Sequence, residues 1–543
     1  MGNEGWGNRE GRRAGAASKL QITGTCAGCA VLAALACRPD PSTTTTATTG
    51  LFGEPGSGFT AQCSGWFPDW ISSNPPPPGA QSFQLSQGYP LGVPVLKTVG
   101  GQVRVDHWDP PAPAALASAP WLAFDFHNPA QRTGYLDALK AYLLLGMPEV
   151  DFVAQKNTKR PWFHVPLMTA KLGARREPYH GVTRERALRA CDHSWIIDGG
   201  PCPNAPNRLQ AVAIGYYNWL GGYTIGQVFK DPDPGASDPA ASTFIDGAFV
   251  FKLLFAEFDA TKIDQNSNPL DGAPEWQVQD AQNPGAALLK MRLIQVDVAV
   301  KDSRSAQTGW VFATYVYDKA LTAVEPVPWR RLTAVGLQWG NDPDVTGPGV
   351  GTLDESWINP ALPAVFQHQG TTTAVGRDGR LNGPVDNPIS SCISCHSTAQ
   401  LVVGKTSQNA FRGVDLVPRT GTTGCSNAQA MTWFRNVVGG TPFGVMDNDG
   451  AGCALATPQP GTPPLRSLDY SLQFAVAFES AFLHEDPNPC QALAATLAAG
   501  PARATERDHI ESSRAVAPSG TRVVVSPDAM RTTEADEPSR HER

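Results

Sequence analysis

Two thiols and an imidazole fall within five residues, Cys392-Ile393-Ser394-Cys395-His396. The pattern C-x-x-C-H is the signature of covalent c-type haem attachment. Thiols at i and i+3 can each reach one vinyl group of a porphyrin. The histidine that follows is then carried under the ring as proximal ligand of the iron. Eleven Cys and ten His scattered at random over 543 residues would give about 0.004 such strings, so the spacing is informative. Two other uses compete: a Cys392–Cys395 disulfide, and half of a zinc site. A zinc site ordinarily brings a second Cys/His pair at similar spacing, and the body of the sequence has no second C-x-x-C. The expectation is one covalent haem c held by Cys392, Cys395 and His396, with His396 on the iron. No catalytic residue is assigned.

A sixth iron ligand would decide between electron transfer and ligand chemistry. Met446 is the candidate. It stands in the Pro/Gly loop Thr441-Pro442-Phe443-Gly444-Val445-Met446, which Cys425 and Cys453 bracket. Met431, His368 and His484 are weaker candidates, and packing is the commoner use of Met. Asp447 and Asp449 are too few for a calcium site. His164 and His180, among aromatics, invite a catalytic reading of the N-terminal half, although histidines held by core hydrogen bonds are commoner.

The elements that must position this chemistry read mainly as β. Charged residues make up 17% of the chain, with 53 Gly and 48 Pro, which favours strands and turns over long solvated helices. Phe249 to Phe255 is a near-continuous apolar run. Arg292 to Val300 alternates, with Ile294, Val296, Val298 and Val300 on one side and Gln295 and Asp297 on the other. Trp310 to Tyr317 follows a polar turn, so the two read as a hairpin with one buried face. Leu332 to Trp339 predicts another strand. Six apolar residues at period two predict a strand over 468–478, with a helix as the weaker alternative.

Helices are few. Asn128-Pro129 opens one with Tyr135, Leu136, Leu139, Tyr142 and Leu143 on one face and Gly146 at its end. A second is predicted over 426–438, ended by Gly439-Gly440. Before the C-x-x-C-H string, two Gly–polar turns and the prolines Pro384 and Pro388 forbid the amphipathic helix that class I cytochromes c place there. Gly347-Pro348-Gly349-Val350-Gly351 has no strand before it and no helix after it, so it is no nucleotide loop.

The N-terminus reads as an export signal. Arg9, Arg12, Arg13 and Lys19 precede a small, apolar stretch from Leu20 to Ala36 that is too short and too rich in Thr, Gly and Cys to span a membrane. Ala34-Leu35-Ala36-Cys37 resembles a lipoprotein cleavage site that would leave Cys37 lipidated. Six cysteines remain besides those of the signal and the haem string: Cys63, Cys191, Cys202, Cys425, Cys453 and Cys490. An even remainder outside the cytoplasm suggests up to three disulfides, with Cys191–Cys202 and Cys425–Cys453 the first pairs to try.

Three further stretches resemble a known family. Ile245-Asp246-Gly247-Ala248-Phe249-Val250-Phe251-Lys252, then Val298-Ala299-Val300-Lys301-Asp302, then Thr308-Gly309-Trp310-Val311-Phe312 precede the C-x-x-C-H string in that order. They resemble the small β-sheet c-type cytochromes: cytochrome c-prime-beta and its hydroxylamine-oxidising relatives, whose haem is also linked to a lysine. The resemblance covers roughly residues 240–396. It implies an antiparallel sheet with haem against it, His396 as proximal ligand, and an open or weakly filled distal face for small ligands such as nitric oxide or hydroxylamine. The chain departs from that family in a long gap before Cys392, about a hundred residues after the string, and an extra N-terminal half. The linking lysine is not placed. Lys252 and Lys301 lie in the resembling motifs and are expected at the surface, at strand ends.

The sequence therefore predicts a mainly β (α+β) protein. Its parts are a signal at 1–37, a flexible linker at 38–79 and an N-terminal α+β region at 80–240. A β-rich haem domain at 241–495 and a disordered tail at 496–543 complete it. The expected function is an exported monohaem c-type cytochrome, periplasmic or anchored as an outer-membrane or cell-surface lipoprotein. It would transfer electrons to an unidentified redox protein, or act as an oxidoreductase at an open distal face. Net charge −7 excludes nucleic acid as a partner. The alternative is a secreted binding or structural lipoprotein with a Cys392–Cys395 disulfide and no haem.

Overall fold

The computed structural model describes residues 86, 89–90, 93–99, 102–109 and 119–482. Within the last range it excludes 166–181, 191, 198–206, 230–236, 279–286, 364–365, 369–370, 373–374, 404–411, 420–423, 447–451 and 458–459. The expected signal, linker and tail lie outside the described residues, as do His180, His484, Asp447, Asp449 and the Cys191–Cys202 pair.

Strands β1 (Val93–Val99) and β2 (Gln102–Asp109) form a two-stranded antiparallel sheet of their own. Helix α1 (Arg132–Leu144) follows a 3-10 turn at Pro129–Gln131. Asn128 caps that turn by accepting from the Ala130 N–H at 3.1 Å, and Gly146 leaves the helix at φ +76°. Then come β3 (Thr183–Arg189), β4 (Arg208–Tyr217), α2 (Trp219–Val228), β5 (Phe249–Glu257), β6 (Glu275–Val278), β7 (Leu289–Lys301), β8 (Trp310–Tyr317), β9 (Leu332–Gln338) and β10 (Ser356–Ile358). Short elements complete the chain: β11 (Gln367–His368), β12 (Thr371–Thr372), α3 (Cys392–His396), β13 (Gln400–Val402), α4 (Asn427–Ala430), β14 (Leu465–Ser467) and α5 (Leu472–Phe482).

The protein is mainly β. Its centre is one antiparallel eight-stranded sheet in the order β10-β9-β8-β7-β5-β4-β3, with β6 pairing the start of β7. The expected boundary at 240 falls inside this sheet, because β4 pairs with β5 along seven residues. Strands β3 and β4 from the N-terminal half form one edge of the sheet.

Both faces of the sheet are buried. One face packs Val212, Ile214, Tyr216, Phe249, Phe251, Leu253, Phe255, Val296, Val298, Val300, Val311, Ala313 and Tyr315 with Trp121, Trp162 and the apolar stripe of α1. The other face packs Ala211, Ala213, Leu254, Ala256, Phe312 and Val316 with α2, Ile393 of α3 and Phe474 and Phe478 of α5. The hairpin β7–β8 therefore has two buried faces, not one. A bulge in β7 opposite Leu254/Phe255 also turns Ile294 to the second face, away from Val296. This breaks the expected alternation, since an extra residue in one strand reverses the side that later residues face.

The strand expected over 468–478 is corrected. Asp469 and Tyr470 sit at φ +45° and +69°, where an extended strand cannot continue. Ser471 Oγ then accepts from the Phe474 N–H at 3.2 Å, capping α5. Phe474, Ala475, Ala477 and Phe478 are buried along it, so small residues on one side of a helix mimicked period two. The helix expected over 426–438 is shorter. It is capped by a Ser426/Gln429 box, spans Asn427–Ala430 and tightens to a 3-10 turn at Met431–Phe434. Among the described residues no helix is long and apolar enough to cross a membrane.

Candidate haem-attachment site

Helix α3 is a single turn, and its sequence supplies its own cap. Ser391 Oγ accepts from the Ser394 N–H at 3.1 Å, while Ser394 Oγ accepts from the Ser391 N–H at 2.7 Å. The turn is docked on the sheet by Gln338 at the end of β9. The Gln338 amide donates to Ser391 Oγ at 3.2 Å and accepts from the Ile393 N–H at 3.1 Å. Ile393 is fully buried in the core below. The segment before α3 is a chain of turns, with no helix from 380 to 391, as its glycines and prolines require. Arg380, fully buried, ties it down by donating to the carbonyls of Asn341, Asp342 and Val345 at 2.7–2.8 Å.

The docking leaves Cys392, Cys395 and His396 half-buried on one side of α3. Neither thiol is in a disulfide. Cys392 Sγ lies 3.9 Å from Thr314 Oγ1, and Cys395 Sγ lies 3.5 Å from the Leu416 carbonyl. Burial pushes the Cys392 thiol well up, helped by the carboxylates of Asp386 and Asp297. Burial likewise lifts Cys395 to about 11. Both are thiols at neutral pH. A dithiol that exchanges disulfides needs the opposite, a lowered pKa on one sulfur.

His396 stands beside Phe312, with ring centroids 5.0 Å apart. Its Nδ1 lies 2.8 Å from the carbonyl oxygen of Tyr470. A carbonyl can only accept, so Nδ1 carries the proton and Nε2 presents its lone pair. Burial lowers the imidazole to about 4, and the Tyr470 bond and Lys252 are weaker, opposing and reinforcing influences. The ring is therefore neutral at physiological pH, with no described residue hydrogen-bonded to Nε2. This is the state in which a histidine binds a metal: one nitrogen fixed by a carbonyl, the other bare.

A polar row crosses the sheet beneath α3. Gly215, Lys252, Asp297 and Thr314 are successive partners across β4, β5, β7 and β8. The Gln295 amide bridges two carboxyls, lying 2.8 Å from Asp297 Oδ1 and 2.8 Å from Asp386 Oδ2. Thr314 donates to Asp297 at 2.9 Å, and Lys252 pairs with Glu185 of β3 at 2.9 Å. Burial, then the Asp386 charge, raises Asp297 to about 7, against the pull of Lys252, Gln295 and Thr314. Asp386 is also raised, first by burial.

The single-residue expectations meet different outcomes here. Lys252 is mid-strand, not at a strand end, and is half-buried in this polar row with its ammonium on Glu185. Lys301 does end β7, but its ammonium is buried against Asp469 at 2.8 Å. Met446 packs with Val414, Trp433, Phe434, Val437 and Phe443 in a third apolar cluster that holds none of the three motif side chains. Met431 lies partly buried against the same cluster. His164 is buried and bonded to the Gly215 carbonyl at 3.0 Å, the arrangement of a core histidine. Cys425 and Cys453 form a disulfide. Among the described residues no group of three or more His, Cys, Asp or Glu gathers closely enough to hold a metal ion.

Sequence reasoning named the three motif residues and did not name those the structure packs against them: Gln338, Tyr470 and the Gln295–Asp297–Asp386 group. One signal was present, since Gln295 and Asp297 interrupt an otherwise apolar strand. Comparison with protein-family models, with curated proteins and with solved structures finds no match to this chain.

Proposed function

We propose that this chain is an exported monohaem c-type cytochrome whose role is electron transfer. One observation carries the reading. A neutral imidazole with Nδ1 tied to a backbone carbonyl and Nε2 bare follows directly on two unbonded thiols, all on one turn. The donor set fits a covalent haem: Cys392 and Cys395 would take the two vinyl groups and His396 the iron. Haem would supply one-electron chemistry between ferric and ferrous iron.

The chain's own residues would do the rest. The Ser391–Ser394 box and Gln338 orient the turn that carries both sulfurs. Tyr470 fixes the His396 tautomer and raises its basicity. Phe312 and the neighbouring core keep water from one side of the imidazole. Antiparallel strands beneath the motif accord with the resemblance to the β-sheet cytochromes, which adds binding of a small nitrogen species at an open distal face. Export and lipidation at Cys37 belong to the same proposal, since covalent haem attachment and the Cys425–Cys453 disulfide both suit a compartment outside the cytoplasm.

The test is a pyridine haemochrome spectrum of the full chain produced with a haem-attachment system and exported. A c-type haemochrome at one haem per chain, surviving acid–acetone extraction, is expected. A protein with no visible-range absorption would end the proposal and leave the haem-free binding lipoprotein.

A further inference from the structure

Two consecutive non-glycine residues, Asp469 and Tyr470, occupy the left-handed region at φ +45° and +69°. For a bulky residue such as Tyr this is an outlier, and it persists only where the surroundings over-determine it. Here they do. Asp469 is fully buried. Its Oδ1 accepts from Lys301 Nζ at 2.8 Å and from Trp310 Nε1 at 2.9 Å. Its Oδ2 accepts from the Phe244 N–H at 2.8 Å and again from Lys301 at 2.9 Å. Gly439 packs so closely that a Cβ there would stand 2.5 Å from the Lys301 ammonium and 2.6 Å from Asp469. On its other side the segment is held to the end of α3, because β14 pairs with β13 and the Leu468 N–H donates to the Ala399 carbonyl at 2.9 Å. The carbonyl that emerges from this turn is that of Tyr470, the acceptor for His396 Nδ1.

We propose that Asp469 is a positioning residue for His396. With Lys301 and Trp310 it pins a strained turn whose Tyr470 carbonyl sets the tautomer and ring orientation of the imidazole. Nothing in α3 itself does this: its cap bonds fix the backbone of the turn, not the rotation of the His396 ring. A carboxylate suits the place because one group must accept from three donors on three separate segments, and Asp tolerates the left-handed conformation better than most residues. The inference uses the haem proposal for one of its two readouts and stands on the network for the other.

The experiment compares the wild-type full chain with Asp469→Asn and Trp310→Phe. Asn keeps the shape and the left-handed tolerance but loses the charge. Phe keeps an aromatic ring in the core, removes only the indole N–H that Asp469 accepts from at the cost of some volume, and changes no charge, so it guards against a folding failure of the first variant and against a purely electrostatic effect. In the haem-loaded protein both variants are expected to retain the haemochrome. Their ferrous iron–histidine stretching frequency should fall, and the ferric/ferrous equilibrium should shift toward ferrous by about two- to fivefold, as a loosened Nδ1 bond makes imidazole a weaker donor. If both variants keep the wild-type frequency and potential, Asp469 is only structural and the inference is overturned. If the wild type carries no haem, the haem proposal fails separately, and the same variants are read by the 15N shifts of the His396 ring. A single Nδ1–H tautomer in the wild type that becomes a mixture in the variants supports the inference. An unchanged tautomer overturns it.

Discussion

The two faces of the eight-stranded sheet are built from alternate residues of the same strands, yet they differ in kind. On the α1 face Phe249, Phe251, Leu253 and Phe255 of β5 make a continuous apolar row. Phe251 stacks on Tyr216 at 4.6 Å and meets Trp162 edge-on at 4.8 Å. On the α3 face the apolar packing is interrupted at its centre by Lys252, Asp297 and Thr314, with Gln295 and Asp386 beside them. Burying charge costs far more than burying hydrocarbon, and a sheet needing only stability would not place it there. The apolar face holds the sheet together. The polar face is where the C-x-x-C-H turn is seated.

This contrast can be broken most severely at the motif. On the haem reading proposed above, Cys392→Ser combined with Cys395→Ser should abolish covalent haem entirely while leaving the far-ultraviolet circular dichroism of the sheet intact. Phe251→Ala, on the opposite face, should do the reverse. It should retain the haemochrome per folded molecule and cost about 3–5 kcal/mol in denaturant unfolding, as large-to-small changes in a close-packed aromatic core do. If the cysteine pair destabilises the sheet as much as Phe251→Ala, the division of labour between faces is wrong.

A smaller effect sharpens the comparison through pH. Asp297 is raised to about 7 in the folded chain, first by burial and then by Asp386, against about 3.9 when unfolded. The folded state therefore binds the proton more tightly. The stability this group contributes is complete below the unfolded value and is lost as pH rises through 7. Asp297→Asn should remove that loss. Relative to wild type the variant should gain on the order of 1–2 kcal/mol at pH 8 and little at pH 4, measured by urea unfolding at both. In the chain without haem, His396 slopes the other way. Its pKa is lowered to about 4, so its contribution is present above about 6.5 and fades as pH falls through 4. An Asp297→Asn variant whose stability tracks the wild type at both pH values would mean that the carboxyl is solvated and the polar row carries no strain.

Much of the fold was legible because the signals were local and redundant. The run Phe249–Phe255, the block Trp310–Tyr317 and the Asn128-Pro129 start each carry their element in consecutive residues. The failures share one cause. Over 468–478 the apolar period fitted a strand, and the left-handed pair Asp469–Tyr470 that forbids it is held by Lys301 and Trp310, about 160 residues away. Gln295 and Asp297 were read as solvent-facing because alternation alone cannot say what lies on the polar side. That the strands on either side of residue 240 share one sheet was not legible, because strand pairing, unlike composition, leaves no mark at one position.

By itself the sequence determined the chemistry on offer: two thiols and an imidazole at fixed spacing, the strands able to underlie them, and a Cys425–Cys453 pair worth trying. These follow from covalent spacing and periodicity, which are properties of neighbours in the chain. Only the tertiary structure decided which nitrogen of His396 is free, that both sulfurs are thiols, and that a charged row lies beneath them. Those depend on groups from β3, β5, β7, β8 and the turn at 469–470 meeting in space. Burial and hydrogen bonding, which set protonation and orientation, exist only once the chain has folded.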